Sequence, residues 1–222
     1  MGLAVARLAL QEGATVHLVS SSQAKLEAAN QQLGTANVQL HALDISSEQA
    51  VTALAGKIDH LDHLVTTAAR LTFKPLAELH YDDIDAMLGS KFWGPVLLTQ
   101  KLAAKLRPTG SIVYFSGVAA DKGGAGASIV GAVNGALHGL AKNLVYELSP
   151  IRVNVVSPGV VDSPTWDGMG EAEKADFLQS AAEALPAKRV GHVEDLAQSA
   201  LYLMTNKYVN GTVLTVDGGA NA

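Results

Sequence analysis

GSIVYFSGVAADKGGAGASIVGAVNGALHGLAKNLVYEL, residues 110–148, has three parts. Ile112, Val113, Tyr114 and Phe115 are a short unbroken apolar run, β-branched and aromatic, of the kind that forms a strand buried on both faces. Gly117 to Gly126 is glycine-rich and reads as a loop. A long run of small and apolar residues then continues to Leu148. Ser149-Pro150 closes that helix, because proline has no N–H with which to extend the ladder.

The flanking sequence repeats this strand-then-helix pattern. Downstream, Arg152 to Gly159 (RVNVVSPG) is a second buried run ending in a Pro-Gly turn. Trp166 to Leu185 follows, with Trp166, Met169, Phe177 and Leu178 as its apolar members, then a helix from Glu194 to Met204 and a last strand within Gly211 to Gly219. Upstream, strands are expected at Thr15 to Val19, Val38 to Ile45 and His63 to Thr66. Between them lie helices at Gln23 to Leu33, N-capped by Ser22, and Glu48 to Ile58. Tyr81 to Leu106 reads as one long amphipathic helix. Strands alternating with helices at this spacing imply a doubly wound parallel sheet with helices on both faces.

A length of 222 residues suits a single domain, 1–222, with a sizeable core. Hydrophobic residues at 48%, charged residues at 17% and 21 glycines fit an α/β protein with closely packed helices. A net charge of -5 without a basic run gives no electrostatic case for nucleic acid or an anionic membrane. The chain has no cysteine, so it offers no disulfide, thiol nucleophile or thiolate-held metal. No apolar run approaches the roughly 18 residues of a membrane span and no signal pattern opens the chain. The expectation is a soluble cytoplasmic protein with no nucleic-acid or membrane partner and no metal site.

Several of these stretches resemble the short-chain dehydrogenases/reductases. Tyr114-Phe115-Ser116 and Arg152 to Gly159 fix the alignment. Asp62 to Ala69 (DHLVTTAA) is similar to the family's Asp-x-Leu-Val-Asn-Asn-Ala-Gly, and Pro158 to Ser163 to its Pro-Gly-x-x-x-Thr. The resemblance spans essentially the whole chain. It implies a Rossmann-like fold, a nicotinamide cofactor, and oxidation or reduction of a carbonyl or alcohol. It also implies a lid over about residues 163–186 and a homodimer or homotetramer through helices 81–106 and 126–148, where Ala132, Gly135, Ala136 and Gly139 permit close approach.

The same alignment shows where this chain departs from the family. The catalytic Ser, Tyr and Lys positions hold Gly117, Val130 and Asn134, and the family's catalytic Asn aligns with Lys91. In the family pattern, Tyr and Lys four residues apart share a helix face, and the ammonium brings the phenol's pKa down toward working pH. Val130 has no proton to give and Asn134 no charge to lend. Lys91 and Asn134 amount to an exchange of amine and amide between the two outer positions. Lys91 is either a charged group near the cofactor ribose or a lysine whose stem alone is buried. Ser116, beside the lost Ser position, is the candidate oxyanion donor.

For the cofactor, the resemblance implies contacts at Gly2, Ser20, Ser21, Asp44, Ile45, Thr67, Ala68, Pro158, Gly159, Val161 and Ser163. Ser20 stands where an acid would repel a 2′-phosphate, so NADP(H) is expected over NAD(H). Asp44 is either the adenine-contacting acid or a cap for the helix after it. Met1-Gly2 matches the last two positions of a Gly-x-Gly turn, so the first strand and most of that turn, roughly a dozen residues, are missing on this reading. Either an upstream piece lies outside this sequence or the sheet closes up in an unusual way, and cofactor binding would be impaired. Three functions remain open at this point. They are an NADP(H)-dependent oxidoreductase with a non-standard proton relay, an inactive binding or regulatory protein, and a non-redox enzyme reusing the pocket. No Ser-His-Asp arrangement is evident to support the last.

Overall fold

The computed structural model describes residues 1–222. The chain opens in α1 (Gly2–Gln11) and continues through β1 (Val16–Ser20), α2 (Gln23–Leu33), β2 (Val38–Ala42), α3 (Glu48–Ala55) and β3 (Leu61–Thr66). Then come α4 (Tyr81–Leu88), α5 (Gly94–Leu102), β4 (Leu106–Phe115), α6 (Ser128–Glu147) and β5 (Arg152–Pro158). The chain finishes with α7 (Glu171–Ala184), α8 (Val193–Thr205) and β6 (Val213–Val216). All strand pairings are parallel, and the architecture is a Rossmann-like α/β fold.

Side-chain alternation along the central strands sorts the core into two faces. Val113 and Phe115 of β4 and Val156 of β5 pack with Ala4 and Val5 of α1 and Leu196, Ala200 and Leu203 of α8. Ile112 and Tyr114 of β4 and Val153 and Val155 of β5 turn the other way, onto Leu137 and Ala141 of α6. Helices therefore cover both faces. Element ends follow the local chemistry. Ser22 and Ser47 accept the N–H groups of Lys25 and Ala50 at the starts of α2 and α3, and α2 stops at Gly34, whose φ of 61° suits glycine.

The strands fall into two separate ladders, β1-β2 and β3-β4-β5-β6. The sheet does not close up between β1 and β3. Side chains join the halves: Val51 and Leu54 of α3 with Leu98 and Leu102 of α5 form a cluster that touches Val19 of β1 and Leu61 and Leu64 of β3, and Lys101 of α5 donates to Glu48 of α3 at 2.7 Å.

The expected single helix from Tyr81 to Leu106 is corrected. It breaks at a π-helical turn, Gly89–Trp93, and its last residues are a 3-10 turn (Ala103–Lys105) before β4 begins at Leu106. Pro95 is the cause. It cannot donate a hydrogen bond, and the N–H of Gly94 reaches back five residues to the carbonyl of Gly89, so the ladder widens by one residue there. Lys91 lies in the middle of this wide turn.

Candidate active site

In parallel α/β sheets, ligands bind beyond the carboxyl ends of the strands, and most of the cofactor-type positions lie there. Ser20 ends β1; its hydroxyl accepts the N–H of Ser22 at 3.2 Å, while Ser21 is exposed. Asp44 follows β2. Its carboxylate takes both the N–H (2.9 Å) and the hydroxyl (2.7 Å) of Ser46, and these bonds hold its pKa below the usual range. Capping of α3 falls to Ser47, so Asp44 is left facing outward from a fixed Asx turn. Ile45, next to it, is half-buried.

At the end of β3, Thr67 lies against Gly2, where a Cβ would come within 2.6 Å of the threonine Oγ1; Ala68 is exposed. A side chain at residue 2 would require Thr67 to turn aside. Beyond β5, Gly159 donates its N–H to the carbonyl of Val216 at 3.0 Å, and a Cβ on it would sit 2.7 Å from Asp217 Cα. Pro158, just before it, is the last residue of β5. Val161 is buried and bridges to Gly191, and Ser163 is buried with its hydroxyl 3.2 Å from that of Thr165.

Lys91 is 5% exposed, and its Nζ donates to the carbonyl oxygen of Ser116 at 3.0 Å. Burial disfavours the ammonium and lowers its pKa from 10.5 to about 8. The π-helical turn that carries it is anchored by Ser90, whose hydroxyl accepts the N–H of Arg70 and donates to the carbonyl of Ala86, both at 2.8 Å. Asn134 of α6 is 2% exposed, and a Cβ added to Gly117 would lie 3.0 Å from its Nδ2. The serine that the family has at 117 would be crowded here by the amide that stands in for lysine. Val130, one turn earlier on α6, is buried and apolar.

Four buried polar atoms have no hydrogen-bond partner in the protein: Asn30 Oδ1 lies apart on α2, and the other three are Thr66 Oγ1 near the end of β3, Ser157 Oγ near the end of β5, and Asn134 Oδ1 on α6, which covers the strand between them. Buried polar atoms are nearly always paired, and these three are grouped around the end of β4. They fit a polar ligand occupying the crevice, as a nicotinamide dinucleotide would.

One cluster went unseen in the sequence. The hydroxyl of Ser116 lies 2.9 Å from His138 Nε2, and His138 Nδ1 lies 3.9 Å from the carboxylate of Asp121. The sequence expectation that no such arrangement exists is thus corrected, although its chemical conclusion stands. Ser116 is only 5% exposed and also sits 3.4 Å from the carbonyl of Val156, so its hydroxyl is engaged between β4 and α6. At 3.9 Å the carboxylate is beyond hydrogen-bond range of the imidazole. Burial lowers the His138 pKa, opposed by the attraction of Asp121. The cluster ties strand to helix; it does not present an activated nucleophile. Two periodicities held the signal: Ser116 alternates to the same side as Ile112 and Tyr114, and His138 stands one turn after Asn134.

Among the predicted catalytic residues, Lys91, Ser116 and Asn134 come together with Gly117, and the contact of Lys91 is to the main chain of Ser116. His and acid residues supply no group of three or more that could hold a metal ion. No helix is long and apolar enough to cross a membrane.

Comparison with known proteins supports the fold and gives the family. The family model described as Enoyl-(Acyl carrier protein) reductase matches residues 1–221. Carbonyl reductase family member 4 of Xenopus laevis is 32% identical over 228 residues, covering 99% of this chain and 92% of the relative. A small-chain dehydrogenase solved in complex with NADPH superposes with a TM-score of 0.82 at 32% identity, over 93% of this chain and 98% of that one. The MalC Reductase/Diels-Alderase of Malbranchea aurantiaca gives 0.89 at 30% identity, over 98% and 91%. With a fold in common and a match that runs from end to end, the chain belongs to the short-chain dehydrogenase/reductase family of oxidoreductases.

Proposed function

We propose that this protein is an NADP(H)-dependent oxidoreductase that interconverts a carbonyl and an alcohol, with Lys91 in place of the usual Tyr-x-x-x-Lys pair. The observation that carries it is the state of Lys91: buried, hydrogen-bonded to the end of β4, and with a pKa of about 8. An amine in that range is protonated at neutral pH yet can release its proton within a turnover, which is what general acid–base work asks for.

When bound, the reduced nicotinamide supplies the hydride. The residues that would hold the cofactor are Gly2 and Thr67 beside the start of α1, Ser20, Ser21, Asp44 and Ile45 toward the adenosine, and Ala68, Pro158, Gly159, Val161 and Ser163 toward the nicotinamide. The absence of a carboxylate at Ser20 favours NADP(H), and a relative solved with NADPH supports the same choice. Lys91 would hold and move the proton at its Nζ. Asn134 would orient a polar group through its free Oδ1, and Gly117 leaves space for it. Pairing of copies through α4, α5 and α6 belongs to the same reading; Gly135, Ala136 and Gly139 are incompletely buried on α6.

The test is NADPH titration by fluorescence together with NADPH oxidation across a carbonyl panel, for the native chain and K91M. Binding should survive in K91M while turnover falls by about 10²- to 10⁴-fold. Equal rates in the two proteins would remove Lys91 from the chemistry. NADPH binding with no turnover of any carbonyl would refute the enzyme reading in favour of a binding protein.

A further inference from the structure

Ser116 stands where the β4-β5 ladder ends. Its N–H donates to the carbonyl of Val156 at 2.8 Å. In a parallel ladder the next donor in line, to the carbonyl of Ser116, would be the N–H two residues further along β5. That residue is Pro158, which has no N–H. The Ser116 carbonyl is thereby left to Lys91 Nζ, which donates to it at 3.0 Å and has no other acceptor in the protein. The peptide unit that carries this carbonyl is weakly held. The N–H on its far side, of Gly117, has no backbone partner, and Gly117 brings no side chain to pin it. What remains is the hydroxyl of Ser116 itself, 2.9 Å from His138 Nε2 on α6, the helix against which the π-helical turn of Lys91 packs.

The state of the imidazole follows from its surroundings. Burial lowers the His138 pKa; Asp121, across the loop, opposes this and Lys142, one turn on along α6, adds to it. The ring is therefore neutral where Lys91 titrates, near pH 8. A neutral ring has one acceptor nitrogen, and with Nδ1 turned toward the Asp121 carboxylate at 3.9 Å the acceptor is Nε2, which takes the Ser116 O–H. Removing His138 in this range removes an acceptor and no charge. The hydroxyl is then left with the Val156 carbonyl, 3.4 Å away and already bonded to the N–H of Ser116. Ser116 would lose the side-chain bond that sets its orientation, and its carbonyl would lose its aim at Lys91.

We infer that His138 is a positioning residue for the proposed reaction: through the Ser116 hydroxyl it fixes the carbonyl that holds Lys91 Nζ. This rests on the oxidoreductase reading above, and two measurements keep the two apart. One is the titration of the Lys91 side chain, followed by NMR of protein labelled with 13C-lysine and assigned by the signal lost in K91M. The other is the pH profile of kcat for NADPH-dependent reduction across the carbonyl panel. The hydrogen bond from Lys91 favours the ammonium, so losing it should lower the Lys91 pKa, and with it the alkaline limb of kcat, by about one pH unit in H138L and in S116A. NADPH affinity and KM should stay near native. H138Q, whose amide can reach the place of Nε2, should restore the native titration, and S116A/H138L should shift it no further than S116A alone. A purely structural role would lower stability and leave both titrations where they are. S116A is the smaller change and carries the test where H138L does not fold. Native-like titration of Lys91 in S116A, or a shift that H138Q leaves uncorrected, would overturn the positioning role whatever the turnover. The expected shift and rescue, with no carbonyl compound reduced by the native chain, would uphold the positioning of Lys91 and overturn the oxidoreductase reading.

Discussion

Replacing Lys91 by methionine keeps much of the stem's volume and removes its charge, so the effect on stability can be worked from burial alone. The folded-state pKa of about 8 lies below the ordinary 10.5. The fold therefore favours the neutral amine, and the native state is penalised wherever the unfolded chain holds a proton that the folded chain resists. Above about pH 10.5 both states are neutral and the penalty is absent. It grows as pH falls toward 8, at about 1.4 kcal/mol per unit, and is constant below that, at about 3 kcal/mol. K91M should lack this component. At neutral pH it should match or exceed the native protein, since the lost hydrogen bond to the Ser116 carbonyl offsets about 1.5–3 kcal/mol of the gain. That offset does not depend on pH in the same way, so the informative quantity is the difference between the two proteins as a function of pH. Urea unfolding followed by far-ultraviolet circular dichroism, in steps from about pH 7 to 10.5, measures it. A difference that stays flat over this span would refute the burial argument and with it the tuned amine.

Two further outcomes follow from close contacts. The Tyr114 and Thr99 hydroxyls share a buried 2.6 Å hydrogen bond, and the phenol's pKa, raised by burial to about 12, keeps its proton on through alkaline pH. Y114F should cost about 1–3 kcal/mol by leaving Thr99 unpaired, and adding T99V should recover most of it; additive losses in urea unfolding would show that the pair is not coupled. G159A would place a methyl 2.7 Å from the backbone of Asp217, so β5 and β6 must part locally. It should lose about 1–3 kcal/mol of unfolding free energy, and a variant as stable as the native chain would show that the turn yields freely.

The fold was legible because its strands are continuous apolar runs bounded by loops and prolines. Val153, Val155 and Val156 announce β5 without any contact information, and Ser22 and Gly34 mark the two ends of α2. Lys91 was legible only as a position. Its burial depends on the π-helical turn, and a uniform 3.6-residue reading of Tyr81 to Leu106 passes over it; Pro95, a proline inside a helical pattern, was the visible warning. The link from Ser116 to His138 joins a strand to a helix twenty-two residues away, so no single periodicity reveals it. Asp44 could be separated from a capping role only once Ser47 was seen to fill that role. Trp166 and Phe177 were legible as members of one apolar segment, whereas the contact of Phe73 with Trp166 crosses about ninety residues and was not.

The divided sheet has a mechanical consequence. Ser20 and Asp44 ride on the β1-β2 ribbon, whereas Thr67, Ser116 and Gly159 ride on the four-stranded ladder, and side chains of α3 and α5 hold one rib to the other through apolar packing and the Lys101–Glu48 ion pair. Backbone hydrogen bonding, the stiff and directional part of the scaffold, stops midway across the crevice. A dinucleotide long enough to reach both shores would act as a strut, so its affinity and the rigidity of the protein around it would rise and fall together.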